Sequence, residues 1–188
     1  MRTTRIITTI AATTLLALPL ASCNNTTPKD PEYTTGQQQE DPPAADPADA
    51  TPQERIQAYF DASDKAAAEG WKDNDYLSDY LVPELAEEQR KGDEKNAATG
   101  AIITGKRELT DWTVIDENDT TATIEFCNVT KDRKATKDGD PVKIRTANEE
   151  GESVAQFKLE RSSASKPWMI QQQGYYEEGT TCAEHFGH

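Results

Sequence analysis

The chain has 188 residues, a formal net charge of −14, and 34 acidic residues against 20 basic ones. This excess of acid argues against a nucleic-acid partner, because binding to phosphates depends on lysine and arginine. It also argues against a domain that lies flat on an anionic membrane surface. We interpret the acidic surface as a source of solubility, with an acidic face for a basic partner as the alternative.

A short export signal opens the sequence. Met1, Arg2 and Arg5 form a basic start, and residues 6–20 form an uncharged apolar run. Such a run is shorter than the roughly 20 residues that a membrane-spanning helix needs. A basic start, a short apolar middle and small residues before a cut site are typical of a cleaved signal. The pattern therefore predicts a signal peptide over residues 1–22, which leaves enough chain for one folded core.

The end of this signal carries Leu-Ala-Ser-Cys at residues 20–23. This tetrapeptide resembles the lipobox of bacterial lipoproteins. The resemblance implies that the Cys23 thiol receives a diacylglycerol, and that the protein is held through this lipid anchor on the extracytoplasmic face of the cell membrane. Two or three acyl chains suffice for stable anchoring, since each buried CH₂ contributes about 0.8 kcal/mol. The alternative is an ordinary signal followed by a chance cysteine with a free thiol.

The other two cysteines, Cys127 and Cys182, form an even pair in an exported chain. Such a pair predicts one disulfide, and the chain-entropy model gives a loop of this length about 4 kcal/mol. Their wide separation disfavours a redox or zinc site.

Residues 23–50 are predicted to be a lipidated cysteine followed by a disordered linker. The segment is rich in Thr, Asn, Gln, Asp, Pro and Ala, and Tyr33 is its one large apolar residue. It cannot bury enough apolar surface to offset the entropy of ordering. A flexible chain of this length spans roughly 25–30 Å, with a proline-rich ligand motif as the alternative.

A helical region follows from Thr51. Thr-Pro-Gln-Glu at 51–54 combines an N-cap, a first-turn proline and a capping box. An apolar stripe at helical spacing runs from Ile56 to Trp71. Two further short helices are predicted over 75–81 and 83–91, the second closed by Gly92, and 93–100 is predicted to be an exposed connection.

After residue 100, the spacing of apolar residues changes from the 3.6 of a helix to the alternation of a strand. A first strand is predicted from about 101 to 117, and 120–129 is the clearest strand, with Ile124 and Phe126 on one face. Residues 131–137 are too charged for a core, and Asp138-Gly139 predicts a tight turn. Strands are also predicted at 141–144, 154–160 and 167–176, with a flexible tail at 183–188. Helices followed by antiparallel strands predict an α+β fold, in which the N-terminal helix packs in a curved antiparallel sheet.

This arrangement resembles the NTF2-like (cystatin-like cone) superfamily, and more narrowly the NTF2-like lipoproteins of actinobacteria. The resemblance spans 51–182 and rests on Cys127, on Gly-Asp-Pro-Val at 139–142, and on Trp-Met-Ile at 168–170. It implies a pocket between the sheet and the first helix, and a homodimer formed through the sheet.

The sequence contains no motif that predicts a catalytic residue, a metal site or a cofactor site. Histidine occurs only at 185 and 188, in the predicted tail, and Glu125 is predicted to face solvent. Residues that would line a pocket for a small apolar ligand, or else form ordinary core, are Tyr59, Phe60, Asp64, Trp71, Trp112, Phe157 and Trp168.

The leading functional hypothesis is a non-catalytic binding or assembly module of the cell envelope. One alternative is a small-molecule enzyme of the isomerase, dehydratase or hydrolase type that uses the pocket. The other is an accessory lipoprotein, including the phage-exclusion type, that binds another envelope protein.

Overall fold

A computed structural model of the protein describes residues 46–144 and 148–187. The predicted signal peptide (1–22), the predicted lipidation site Cys23 and the predicted linker as far as residue 45 lie outside the described residues, as does His188. Among the helices of the described ranges, none combines the length and the apolar character that crossing a bilayer requires.

Helices come first and strands follow, as the change in hydrophobic spacing predicts, and one further short helix comes after the last strand. The helices are α1 (Pro52–Ala68), α2 (Leu77–Tyr80), α3 (Pro83–Ala98) and α4 (Cys182–Phe186). The strands are β1 (Ala101–Thr104), β2 (Glu108–Glu117), β3 (Thr121–Val129), β4 (Lys134–Lys137), β5 (Asp140–Val142), β6 (Glu152–Glu160) and β7 (Met169–Tyr175).

Helix α1 begins at the predicted capping box. The Glu54 amide donates to the Thr51 hydroxyl at 3.2 Å, and the Thr51 amide donates to the Glu54 carboxylate at 2.8 Å. These two bonds satisfy donors that the first turn leaves free. The predicted stripe is buried, with Ile56 and Phe60 no more than 2% exposed. The helix itself ends at Ala68, so Trp71 follows it.

The main sheet has four antiparallel strands in the order β2-β3-β6-β7. The predicted strand β3 is confirmed, and its residues Ala122, Ile124 and Phe126 belong to the main core. Burial does not alternate along it, because Glu125 and Cys127 are buried as well. Irregular register in β2 and between β6 and β7 marks bulges, which bend strands. The inner face of this sheet packs against α1, and the two together form the main core.

The second sheet, β1-β4-β5, corrects two predictions. The first predicted strand is broken at Gly105, where φ is +89° and an added Cβ would lie 2.9 Å from the Asp132 carbonyl oxygen. The charged run at 131–137 contains strand β4, of which only Ala135 is buried. β4 is a strand because its backbone pairs with β1 and β5, and not because its side chains are buried. Asp138 and Gly139 form the predicted turn, both with positive φ.

Two segments of the domain contain more helix than the sequence predicts. Helix α3 does not end at Gly92 but runs to Ala98, so Asp93 lies within a helix and is 2% exposed. A glycine inside a helix costs only about 1 kcal/mol, which neighbouring contacts override. Instead of the predicted flexible tail, α4 forms with Thr181 as its N-cap and Gly187 in the left-handed conformation after its last turn.

The predicted disulfide between Cys127 and Cys182 is confirmed. It holds α4 on the outer face of β3. Val154 completes a small buried cluster with the two cysteines, and Val129 and Phe186 pack against it. The predicted α+β class is also confirmed, with helices packed against antiparallel sheets.

Candidate functional site

The inner face of the main sheet is filled by aromatic rings. The Phe60 ring lies 5.9 Å from that of Phe126 and 5.6 Å from that of Phe157, and the latter two are 5.1 Å apart. Trp112 lies 5.0 Å from Phe126. Ring separations of this size are those of close aromatic packing. The rings therefore occupy the space where the NTF2-like resemblance implies a pocket.

The seven predicted pocket residues do not converge on one cavity. Tyr59, Phe60, Phe157 and Trp168 belong to the main core, and Trp112 packs at its edge. Trp71 packs instead on Ala66 and Ala67 in a separate cluster. Asp64 forms ion pairs, and none of the seven lines a described cavity.

Asp64 is the centre of a buried ion cluster. Its Oδ1 lies 2.9 Å from Arg107 Nε and 3.1 Å from a terminal nitrogen of Arg133. Its Oδ2 accepts a 2.8 Å hydrogen bond from the Arg107 amide. The three side chains are 6%, 15% and 9% exposed. The cluster ties α1 to the turn before β2 and to the turn before β4.

One carboxylate therefore faces two guanidinium groups. The Asp64–Arg107 contact is an ion pair without hydrogen-bond alignment, and Arg133 Nε has no hydrogen-bond partner among the described residues. Burial lowers the pKa of Arg133, the charge of Arg107 adds to this, and the charge of Asp64 opposes it. The Arg107 guanidinium also lies 4.6 Å from the centre of the Phe60 ring. The cluster carries an excess of buried positive charge.

A second buried carboxyl, that of Asp93, lies on α3 and faces the segment before α2. The Tyr76 hydroxyl donates to its Oδ2 at 2.9 Å, and the Gln89 amide nitrogen lies 3.4 Å from its Oδ1. Burial raises the pKa of Asp93, against the opposing effects of these two hydrogen bonds and of Arg107. Burial likewise raises the pKa of Tyr59 to about 12. These groups are sealed by packing, which suits a structural role.

The prediction that Glu125 faces solvent is wrong, because its side chain is buried. It does lie on the outer face of β3, but α4 covers that face and leaves it 7% exposed. Its Oε1 accepts from Gln156 Nε2 at 2.8 Å and from the Tyr176 hydroxyl, and its Oε2 lies 3.2 Å from His185 Nε2. Burial by itself would raise the pKa of Glu125, but these hydrogen bonds outweigh it and hold the pKa below its ordinary value. The network fixes the orientation of His185 and anchors α4.

The described residues contain one group with metal-ligand geometry, Cys127, Cys182 and Glu152. The two sulfur atoms are already joined to each other. A metal ion would need these cysteines as free thiolates, but both sulfur atoms are used in the disulfide.

An open groove of about 390 Å³ lies along β4 and β5. Ala135, Val142 and Ile144 line it with apolar surface, while Lys131, Arg133 and Lys134 line it with basic groups. Arg133 thus belongs both to this groove and to the Asp64 cluster. From the sequence, the segment is predicted only to be too charged for the core, and the groove is not predicted. The excess of basic over acidic residues in this segment is the sequence feature that could have indicated a basic groove.

No protein-family model matches the chain, and a comparison with curated proteins finds no match. Among solved structures, the chain is similar to the intermembrane space region of the chloroplast protein ARC6, with 11% identity and a TM-score of 0.46. That match covers 65% of this chain and 92% of the other. A de novo designed β-sheet protein matches with 13% identity and a TM-score of 0.29, over 67% of this chain and 93% of the design. Likeness at this level carries no functional argument.

Proposed function

We propose that the protein is a lipoprotein held on the extracytoplasmic face of the cell membrane, and that its folded domain is a non-catalytic binding or assembly module. Leu-Ala-Ser-Cys at 20–23 supports the anchor. The NTF2-like resemblance is part of the same proposal. A disulfide between Cys127 and Cys182 suits an oxidising compartment outside the cytoplasm.

The observation that carries the binding role is the filled inner face of the main sheet. A small-molecule active site needs open volume beside an ionisable group. Here the volume beside α1 is taken by Phe60, Phe126 and Phe157. The carboxyls of Asp64 and Asp93 at the border of this core are held by arginine and tyrosine partners.

The surface, by contrast, offers features suited to a protein partner. Several large apolar side chains are between 40% and 53% exposed. These are Ile102, Val114, Ile115, Val142, Tyr175 and Tyr176. A contiguous exposed apolar patch is a feature of protein-binding sites. Val114 and Ile115, neighbours on β2 that are 46% and 51% exposed, are the part of this surface that we take to support a partner in the envelope.

The anchor is tested by phase partition in Triton X-114 together with intact-mass analysis. We expect the wild type in the detergent phase, cleaved before Cys23 and carrying acyl chains. The Cys23→Ser variant should stay unacylated and uncleaved at that site. A wild-type protein that retains Met1 and carries no lipid would overturn the proposal.

The binding role is tested by crosslinking in intact cells, followed by mass spectrometry of both proteins and small molecules. The matched variants are Val114→Ser/Ile115→Ser, which alters exposed apolar residues, and Thr121→Ser, an equally exposed and conservative change. We expect one envelope protein to be crosslinked to the wild type and to Thr121→Ser, and to be lost in the double variant. A stoichiometric small molecule that the cells turn over, without a protein partner, would contradict the proposal in favour of an enzyme.

A further inference from the structure

We propose that the groove along β4 and β5 binds an acidic segment of a partner protein, in which a carboxylate lies next to an apolar side chain. This inference deepens the binding role proposed above and rests on it. It follows from three features of the groove: its local charge, the buried cation in its wall, and its apolar floor.

The groove is a basic region on an acidic protein. Residues 131–144 contain five basic and three acidic side chains, whereas the whole chain has a net charge of −14. Gly105 packs against the backbone of Asp132 and Arg133, which brings the adjoining Lys106 and Arg107 to the same area. Local positive charge attracts an acidic group, while the charge of the whole protein discourages approach to an anionic membrane. The charge pattern therefore favours an acidic protein segment over an anionic lipid.

The wall of the groove contains a cation that lacks full compensation. Arg133 lines the groove, its side chain is 9% exposed, and it shares a single carboxylate oxygen of Asp64 with Arg107. Its Nε finds no acceptor within the part of the chain that the structure describes. Burying a charge without a matching partner is costly. A carboxylate placed in the groove would supply the missing negative charge.

The floor of the groove is apolar, so a ligand that fits it needs an apolar group in addition to a negative charge. Ala135 is buried, while Val142 is 40% exposed and offers apolar surface to a ligand. Pro141 removes an amide donor from β5, which is an edge strand. Proline at an edge discourages the addition of another strand. Recognition therefore occurs through side chains, with an apolar group on the floor and a carboxylate at the basic rim.

The test is fluorescence anisotropy with a fluorescein-labelled peptide, Gly-Glu-Phe-Glu-Leu-Gly, and a second peptide with Gln in place of both Glu residues. The purified full chain is used, in uncharged phosphatidylcholine nanodiscs if it is lipidated and free in buffer if it is not. Failure of the anchor is thereby separated from failure of the groove. Lys131→Gln/Lys134→Gln removes two rim charges, and Lys158→Gln/Lys166→Gln removes two equally exposed charges elsewhere.

We expect the wild type and the Lys158/Lys166 variant to bind the Glu peptide equally, with affinity falling as salt rises from about 50 to about 300 mM. The Lys131/Lys134 variant, and separately the Gln peptide, should bind about fivefold more weakly, as two exposed charge contacts predict.

Three results would overturn the inference. One is equal binding by the two double variants, and another is equal binding of the two peptides. The third is the absence of saturable binding of the Glu peptide up to about 1 mM, the weak limit of a specific contact. Vesicles of phosphatidylglycerol serve as a further arm. Binding of these vesicles that depends on Lys131 and Lys134, without binding of the peptide, would assign the groove to a lipid instead.

Discussion

Replacement of Asp64 by asparagine is expected to destabilise the domain by about 3–5 kcal/mol. The amide side chain would keep the shape and one acceptor for the Arg107 amide, but it would leave two guanidinium groups without a counter-charge. These side chains are only 15% and 9% exposed, so water screens them poorly. Breaking a buried ion pair from one side costs more than the pair itself contributes, because the remaining charge stays buried.

The measurement is urea unfolding at neutral pH with the disulfide intact, together with thermal unfolding, where the midpoint should fall by about 10 °C. Asp61→Asn is the matched control, since Asp61 lies one turn earlier on α1, is exposed, and accepts only a 3.3 Å hydrogen bond from Gln57. It should change the stability by less than about 0.5 kcal/mol.

A double variant tests the physical reason. Arg133→Met in the Asp64→Asn background removes one of the two stranded cations, so it should recover part of the lost stability. Our reasoning is refuted if Asp64→Asn and Asp61→Asn unfold within about 1 kcal/mol of each other, or if the double variant is less stable than Asp64→Asn alone.

Three further predictions concern the disulfide and two buried carboxyls. Cys127→Ser/Cys182→Ser should lower the free energy of unfolding by about 4 kcal/mol, measured in urea; a loss below about 1 kcal/mol would contradict the loop-closure argument. Because the folded-state pKa of Asp93 is raised, stability should fall as pH rises from the ordinary carboxyl pKa through the raised value. Asp93→Asn should abolish that dependence, and an unchanged pH profile would count against it. The pKa of Glu125 is lowered, so its contribution is present at neutral pH and lost as pH falls through the lowered value. The difference in unfolding free energy between Glu125→Gln and wild type should therefore be largest near pH 7 and should shrink as pH falls from the ordinary glutamate pKa through the lowered value; a difference that stays constant over this titration would refute the assignment.

The elements that the sequence predicts well are those determined by neighbouring residues. The start of α1 follows from Thr51 and Glu54, which satisfy each other within four residues. Strand β3 follows from the alternation around Ile124, and the turn at Asp138-Gly139 follows from two residues that tolerate positive φ. In each case a short window of sequence contains the whole physical cause.

The features that the sequence does not predict depend on distant contacts. Helix α3 continues past Gly92 because Asp93 is held by Tyr76, 17 residues earlier. Glu125 is buried because a helix near residue 185 is tied across the outer face of its strand. When a distant helix covers the outer face of a strand, the alternation of apolar and polar residues along that strand does not reveal it.

The candidate site was least predictable for the same reason. The sequence predicts Asp64 as a pocket residue, but its partners Arg107 and Arg133 come from two separate connections. Nothing near either arginine distinguishes it from an exposed basic residue. Only the folded arrangement shows that they share one carboxylate, and that Arg133 also forms the wall of a groove.

The link between Cys127 and Cys182 also sets an order of events during synthesis. The second cysteine comes 55 residues after the first, so β4 to β7 must all emerge before the bond can close. In the proposed extracytoplasmic setting, this interval is set by the passage of the chain into the oxidising compartment, because thiols stay reduced in the cytoplasm. Throughout that interval the first thiol stands on a strand whose outer side has not yet received its helix. Until the second cysteine has reached the same compartment, the first thiol is therefore open to capture by a wrong thiol.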